Sequence, residues 1–355
     1  MRYLLRATNT LIVKGPASVR IKNGEAAILG VSLGPADNFI IRTGKQMPIE
    51  ARSDVELEIT IGHASGLIET AGNSLPLTWQ LASENVAEAT NKTVIVIGAT
   101  DVGKSTLCSF LINNMLSQSL TVHMIDADIG QGEIGPPTTI AMATPNHQIL
   151  SLADLQPRSM IFLGDTSPSQ VEDGLIRGVK RLATTEKSGL TIINTDGWIL
   201  GQEAIRFKTK LIRTLKPDIV LAVGSTGEIQ TLIEKKTRYM RVEIPQYVLT
   251  RSRVERSEFR AMNYRRFLEG ALSRKLSLDE ISLKFPNSKM GLNGDLNFIV
   301  GFLNSEELLL EIGILLGLNE KSIKIYTRYS GESNQIEVGR VKLLKNGSEL
   351  SFADA

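Results

Sequence analysis

Residues 98 to 105 read Gly98-Ala99-Thr100-Asp101-Val102-Gly103-Lys104-Ser105. Two glycines bracket four variable positions, and a lysine and a hydroxyl follow at once. Gly98 and Gly103 let the backbone curl so that successive N–H groups point inward at an anion. A helix starting at Lys104 would add unpaired donors and a positive dipole end. Lys104 supplies a point charge for β- and γ-phosphates, and Ser105 a hard oxygen for Mg²⁺. This is the G-x-x-x-x-G-K-[ST] pattern, and it needs a strand before it and a helix after it. Thr93 to Ile97 is an apolar strand candidate and Lys104 to Gln118 an apolar-striped helix candidate. Binding of a nucleoside triphosphate with Mg²⁺ is the expectation. The acceptor of a phosphoryl group stays open: water, a small molecule or a polymer hydroxyl.

The next strand candidate, Thr121 to Ile125, runs into Asp126-Ala127-Asp128-Ile129-Gly130-Gln131-Gly132. In α/β sheets ligands bind beyond the carboxyl ends of the strands. Asp126 and Asp128 are two apart and share a side if the strand continues. One can organise Mg²⁺ or its waters while the other takes the proton of an attacking hydroxyl. The plainer reading is an acidic strand end that caps a turn. Three further strand ends follow. Gly164-Asp165-Thr166-Ser167-Pro168 opens a helix, with Thr166 or Ser167 either as its cap or as part of an anion site. Asn194-Thr195-Asp196-Gly197-Trp198 carries an aromatic that is either a core anchor or a surface for a base, worth ~1–3 kcal/mol per stacked base. Gly224-Ser225-Thr226-Gly227 either lines the nucleotide or turns the chain.

The elements that must position these residues divide the chain in three. Residues 1–85 look all-β, with runs at Ser18 to Ile21, Glu25 to Leu29, Asn38 to Arg42 and Val55 to Ile61, and turns at Asn23-Gly24 and Gly34-Pro35. Residues 86–270 alternate apolar strands (93–97, 121–125, 160–163, 190–193, 219–223) with helices (104–118, 168–186, 203–215). Strands apolar on both faces argue for a parallel sheet covered on both sides. Residues 271–355 return to β patterning, with strands near 298–302, 311–316, 323–326 and 336–343 and a turn at Asn346-Gly347. The expected architecture is α/β: a central P-loop domain with a parallel sheet, flanked by small β-rich domains.

Charge is concentrated. Between Lys235 and Lys275 there are 12 Lys+Arg and 4 Asp+Glu, a balance of +8 in a chain of net +2, so the rest carries −6. A basic segment on a mildly acidic body suggests an anionic partner. A helix over Val254 to Gly270 would put Arg256, Arg260 and Asn263 on one face, suited to a lid over transferring phosphates. Arg251 and Arg253, just before it, are candidates for contact with a polymer backbone. The single cysteine, Cys108, allows no internal disulfide and no Cys-based metal site, and its apolar helical neighbours make it a core residue. The first residues lack the apolar run of a secretion signal, and the longest uncharged stretch carries too many polar groups for a bilayer. A soluble intracellular protein is expected.

Taken in order, these motifs resemble the Clp-type polynucleotide 5′-hydroxyl kinase family, which includes eukaryotic RNA kinases of 3′-end processing and tRNA splicing and archaeal polynucleotide kinases. The resemblance rests on Gly98 to Ser105 continued by Thr106-Leu107-Cys108, on Asp128-Ile129-Gly130-Gln131-Gly132, on Thr166-Ser167-Pro168, on Asn194 to Trp198 and on Glu255-Arg256-Ser257. It implies that Gly98 to Thr106 hold ATP, with Lys104 at the phosphates and Ser105 and Asp126 on the Mg²⁺ side. Asp128 would activate the RNA 5′-hydroxyl. Gln131 and Thr166 to Pro168 would grip the strand, and Trp198 would clasp a terminal base. Arg256 and a second arginine would neutralise charge at the γ-phosphate. Here that second arginine, Arg260, follows at four positions rather than the five of eukaryotic members. The amino-terminal domain is similar to one that helps hold the adenine. The implied substrate is single-stranded RNA, with DNA left open. The rival readings are a nucleotide-bound scaffold without transfer activity and a switch-type P-loop NTPase.

Overall fold

Val19 and Ile21 stand two apart, as do Leu57 and Ile59, and all four are fully buried. That period belongs to strands with one buried face. The computed structural model describes residues 1–88, 92–186, 188–224, 237–286 and 296–350. Its amino-terminal strands are β1 (Arg2–Leu5), β2 (Asn9–Lys14), β3 (Ala17–Asn23), β4 (Ala26–Ile28), β5 (Val31–Leu33), β6 (Asn38–Ile41), β7 (Gln46–Ala51), β8 (Val55–Ile61) and β9 (Gly66–Ala71). They form two sheets, ordered β1-β8-β3-β6 and β5-β4-β7-β2-β9. The four expected runs fall on β3, β4, β6 and β8. The other strands were not anticipated, β2 with its buried Leu11-Ile12-Val13 among them.

A helix, α1 (Leu77–Ala87), follows Pro76 and was not anticipated from the sequence. Trp79, Ala82, Ser83 and Val86 form its buried stripe at helical spacing. Trp79 is a core residue: its ring lies 5.9 Å from Phe110 and its indole N–H donates to Glu243 O at 3.0 Å.

The elements that follow are β10 (Thr93–Gly98), α2 (Lys104–Ser117), β11 (Val122–Ala127), β12 (Thr139–Ala143), β13 (Ser159–Phe162), α3 (Glu172–Ala183), β14 (Leu190–Thr195), α4 (Gln202–Leu215), β15 (Ile219–Val223), β16 (Arg238–Val242) and α5 (Arg253–Leu268). The expected helix over 168–186 is split. Pro168–Gln170 is a 3-10 turn, and α3 begins only after Val171. The last strands are β17 (Leu272–Ser277), β18 (Ser282–Lys284), β19 (Phe298–Leu303), β20 (Leu309–Leu318), β21 (Ser322–Thr327) and β22 (Gln335–Lys342).

Two compact units emerge, and neither is one stretch of chain. The first holds residues 1–123, 144–155 and 187–252, the second residues 124–143, 156–186 and 253–355. In the first unit β14-β10-β15-β16 run parallel. β16 was not anticipated because Arg238 and Arg241 interrupt its apolar pattern. In the second unit β12 lies between β11 and β13 and runs antiparallel to both. β13, the strand expected at 160–163, therefore runs in the same direction as β11, and the unanticipated strand is β12, short and built of Thr, Ile, Ala and Met, which makes this part of the sheet mixed rather than wholly parallel.

Also in the second unit, six strands are ordered β17-β21-β20-β19-β22-β18. One face of this sheet packs α5, with Tyr264, Phe267 and Leu268 in a core with Ile299, Ile312 and Ile314. The other face buries Phe298, Val300, Phe302 and Ile325. The Asn346-Gly347 turn is present, closed by a Leu343–Glu349 bridge with Gly347 at φ 86°. Among the described residues no helix is long and apolar enough to cross a membrane. Ser225, Thr226 and Gly227, and the lysines at 235 and 236, lie outside the described residues.

Candidate functional site

The first unit builds the phosphate cradle. β10 is apolar from Val94 to Ile97 and ends at Gly98, and α2 starts at Lys104, so the loop is pinned at both ends. Gly103 sits at φ 94° at the cap of α2, a conformation that favours glycine. Lys104 is buried, and its ammonium donates to Ala99 O at 2.7 Å across the curl of the loop. The ammonium is thus held by a carbonyl at the start of the same loop. Ser105 Oγ accepts a hydrogen bond from Asn194 Nδ2 at 3.4 Å. Hard oxygens at the helix start and a cation held by the loop suit a magnesium-bound triphosphate.

The turn after β14 is pressed against this loop. A Cβ on Gly197 would lie 2.2 Å from Thr100 Oγ1 and 2.5 Å from its backbone N, so only glycine fits there. Asp196 shapes the turn. Its Oδ1 accepts Trp198 N at 2.9 Å, and its Oδ2 receives the Lys208 ammonium at 2.7 Å. Lys208 is wholly buried on α4, next to Phe207, whose ring stacks on Trp198 at 5.7 Å and 24°. Trp198 is therefore half-buried, backed by an aromatic and fixed by a buried ion pair.

Arg251, suggested by the sequence as a contact for a polymer backbone, is paired with Asp101 of the phosphate loop. Its Nε and Nη2 bind Asp101 Oδ1 at 3.0 and 2.6 Å, and its own N–H donates to Asp101 Oδ2 at 3.1 Å. Asp101 stands at φ 59° in the crown of the loop. The arginine thus braces the cradle.

The second unit collects the acceptor-side residues. Asp126 is buried, and its carboxylate is committed to the backbone. Oδ2 accepts Glu133 N at 2.7 Å and Ile134 N at 3.4 Å, and Oδ1 accepts Asp128 N at 3.3 Å. Asp126 therefore organises the 128–134 loop. Asp128 is half-buried, with Oδ1 accepting Gln131 N at 3.0 Å. Gln131 donates through Nε2 to Gly130 O at 2.8 Å and to Arg256 O at 3.4 Å, while its buried Oε1 has no donor. A Cβ on Gly130 would come 3.0 Å from Thr166 O, so the segment at Thr166 abuts this loop. Ser167 occupies a cap position but makes no side-chain capping bond. Asp165 Oδ1 instead accepts Ser167 N at 2.8 Å, and Ser167 Oγ meets Ser169 Oγ at 3.0 Å.

α5 is fastened to the same loop. Asn263 Nδ2 donates to Gly132 O at 2.9 Å, and Arg266 donates to Glu133 O and Ile134 O at 3.1 and 2.9 Å. Its first turns carry exposed Arg253 and half-buried Arg256. Arg260 is placed differently: Nε and Nη2 form a two-pronged pair with Glu349 at 2.7 and 2.5 Å. That geometry ties the middle of α5 to the segment after β22.

Within the first unit the structure thus joins Gly98 to Thr106, Trp198 and three residues that the sequence left without a role: Asn194, Asp196 and Lys208. Within the second it joins Asp126, Asp128, Gln131, Thr166 and Arg256. Lys208 gave no signal, because a lysine on an amphipathic helix reads as solvated. Asn194 had one, its place at the end of a buried strand.

A family model described as the mRNA cleavage and polyadenylation factor CLP1 P-loop matches residues 98–270. A polyribonucleotide 5′-hydroxyl-kinase of Pyrococcus furiosus is 29% identical over 322 residues, covering 74% of this chain and 90% of that protein. Another, from Methanocaldococcus jannaschii, is 25% identical over 324 residues with 74% and 90% covered. The chain is thus similar over most of its length to polynucleotide 5′-hydroxyl kinases and carries the CLP1-type P-loop region over residues 98–270. The family fold extends over nearly the whole molecule. A solved Clp1p–Pcf11p complex superposes with a TM-score of 0.77, covering 96% of this chain and 97% of that one at 12% identity. At that identity the likeness concerns the fold alone. The P-loop of a Clp-type kinase implies nucleotide use.

Proposed function

We propose that this chain is an ATP- and Mg²⁺-dependent kinase that phosphorylates the 5′-hydroxyl end of single-stranded RNA. The first unit binds the triphosphate: the loop amides and Lys104 cradle the phosphates, and Trp198, on its Phe207 backing, stacks a terminal base. The second unit handles the acceptor. Asp128 takes the hydroxyl proton, Gln131 Oε1 accepts a hydrogen bond from the strand, Thr166 to Pro168 hold the first phosphodiester, and Arg256 offsets developing charge. Mg²⁺, held through Ser105, would neutralise phosphate oxygens. Asp126 acts by shaping the loop that carries Asp128. Arg260 positions α5. Transfer is in line, with positioning and charge neutralisation supplying most of the acceleration.

The observation that carries this reading is the packing of Gly197 on Thr100, which couples the tryptophan turn to the phosphate loop. The test is incubation with γ-labelled ATP and matched RNA and DNA oligonucleotides bearing 5′-hydroxyl or 5′-phosphate ends. Label on the 5′-hydroxyl RNA, and none on the 5′-phosphate control, is expected. Normal ATP binding without label on any acceptor would favour a scaffold. Fast hydrolysis indifferent to RNA would favour a switch-type NTPase.

A further inference from the structure

The acceptor roles above do not use the cations of the C-terminal sheet. β17 and β21 pair antiparallel with Lys275 directly opposite Lys324. Directly opposite side chains share a face at close range, where like charges repel. Both lysines are exposed. An edge lysine guards a sheet against pairing with other chains, and β17 is an edge strand. Lys324 is on the inner strand β21, so edge protection does not account for it.

Tyr326 follows Lys324 by two residues and so stands on the same face. The Lys345 ammonium lies 5.2 Å from the centre of its ring. Tyr326 and Lys345 line an open cavity of about 440 Å³, with Arg265, Arg266, Met262 and Glu269 among the other walls. Arg265 Nε donates to the Asn346 carbonyl at 3.1 Å, so main chain holds that guanidinium. Among the described residues no carboxylate pairs with Lys275, Lys324, Lys345 or Arg265 within ion-pair distance. The cavity itself contains one acid, Glu269. Four cations around an aromatic ring, two of them opposed in register, form a surface that an extended polyanion would relieve.

We infer that this face binds the phosphate backbone of a single-stranded RNA, beyond the nucleotides handled at its 5′ end. The inference rests on the kinase reading, and the experiment separates the two. Equilibrium binding is measured by anisotropy with 3′-labelled oligoribonucleotides of about 4 and about 20 nucleotides over a range of salt. The variants are Lys275→Gln with Lys324→Gln, and Lys345→Gln alone. The double variant is expected to lose roughly threefold to tenfold in affinity for the longer strand at low salt, and little for the shorter one. Its slope of log affinity against log salt should become shallower by about 0.7 per lost contact. Its melting temperature should hold or rise, because a like-charge pair is removed. A salt slope and long-strand affinity equal to wild type, as an acidic protein partner would leave them, overturn the proposal. So does equal weakening for both lengths. A wild-type protein that binds the long strand but transfers no phosphate sinks the kinase reading and leaves this surface standing.

Discussion

Arg251 holds Asp101 through three donors, its main-chain N–H and two guanidinium nitrogens, at 2.6 to 3.1 Å. Asp101 is only 4% exposed in its side chain, so the pair is shielded from solvent. A buried pair that loses one partner typically costs about 3–5 kcal/mol. Arg251→Ala is expected to loosen the crown of the loop and raise the ATP dissociation constant by roughly tenfold or more, read by calorimetry. Arg251→Lys should recover part of the loss, because an ammonium cannot reproduce the fork. Wild-type affinity in Arg251→Ala would reduce the pair to a brace without influence on the nucleotide.

The two aspartates should separate by what they lose. Asp126→Ala strips the acceptor from Glu133, Ile134 and Asp128 N–H groups, each costing about 1–3 kcal/mol when buried without a partner. Its melting temperature should fall. Asp128→Asn should keep the melting temperature and ATP binding while transfer drops about 10²–10⁴-fold. The opposite pattern would move the general base to Asp126.

Trp198 and Lys208 can be tested as a chain of support. Trp198→Ala should raise the KM for RNA, by up to about 1–3 kcal/mol of lost stacking, with the KM for ATP nearly constant. Lys208→Met alone should lower stability in denaturant melts by about 3–5 kcal/mol, because Asp196 stays buried beside it. Adding Asp196→Asn should restore much of that stability. A double variant no better than the single one would show that the ion pair is not what holds this turn.

Glu50 gives a pH dependence. Burial pushes its carboxyl up to about 7, against the lowering pull of Arg52, and its Oε1 has no donor. The folded protein therefore holds this proton more tightly than the unfolded chain. Stability should fall as pH rises from near 4.5 through 7. Glu50→Gln should raise the melting temperature at pH 8, by roughly 2–4 °C for each kcal/mol relieved, with the gain vanishing towards pH 4.5. A gain independent of pH would assign the effect to packing.

The phosphate loop was legible because its parts are contiguous: eight neighbouring residues carry both the chemistry and the turn. Strands β10, β14 and β15 were legible for the same reason, since burial on both faces leaves a local run of apolar residues. β12 was not, because a strand of Ala, Met, Ile and Thr looks like any short apolar segment until its partners are known. Arg260 illustrates a further limit. Its spacing matched a catalytic pattern loosely, and what fixes it is Glu349, 89 residues later. Asp196 and Lys208 are alike in this: each is unremarkable until the other is placed beside it.

The embedding of α5 in the C-terminal sheet bears on how the protein can be cut. Tyr264, Phe267 and Leu268 are 0 to 7% exposed, and Ile299, Ile312 and Ile314 cover the same core. A fragment ending near Gly270 would keep every residue of the recognisable kinase signature. It would also strip the wet-proof backing from the helix that carries Arg256 and leave a greasy stripe bare. Such a minimal enzyme should clump rather than turn over.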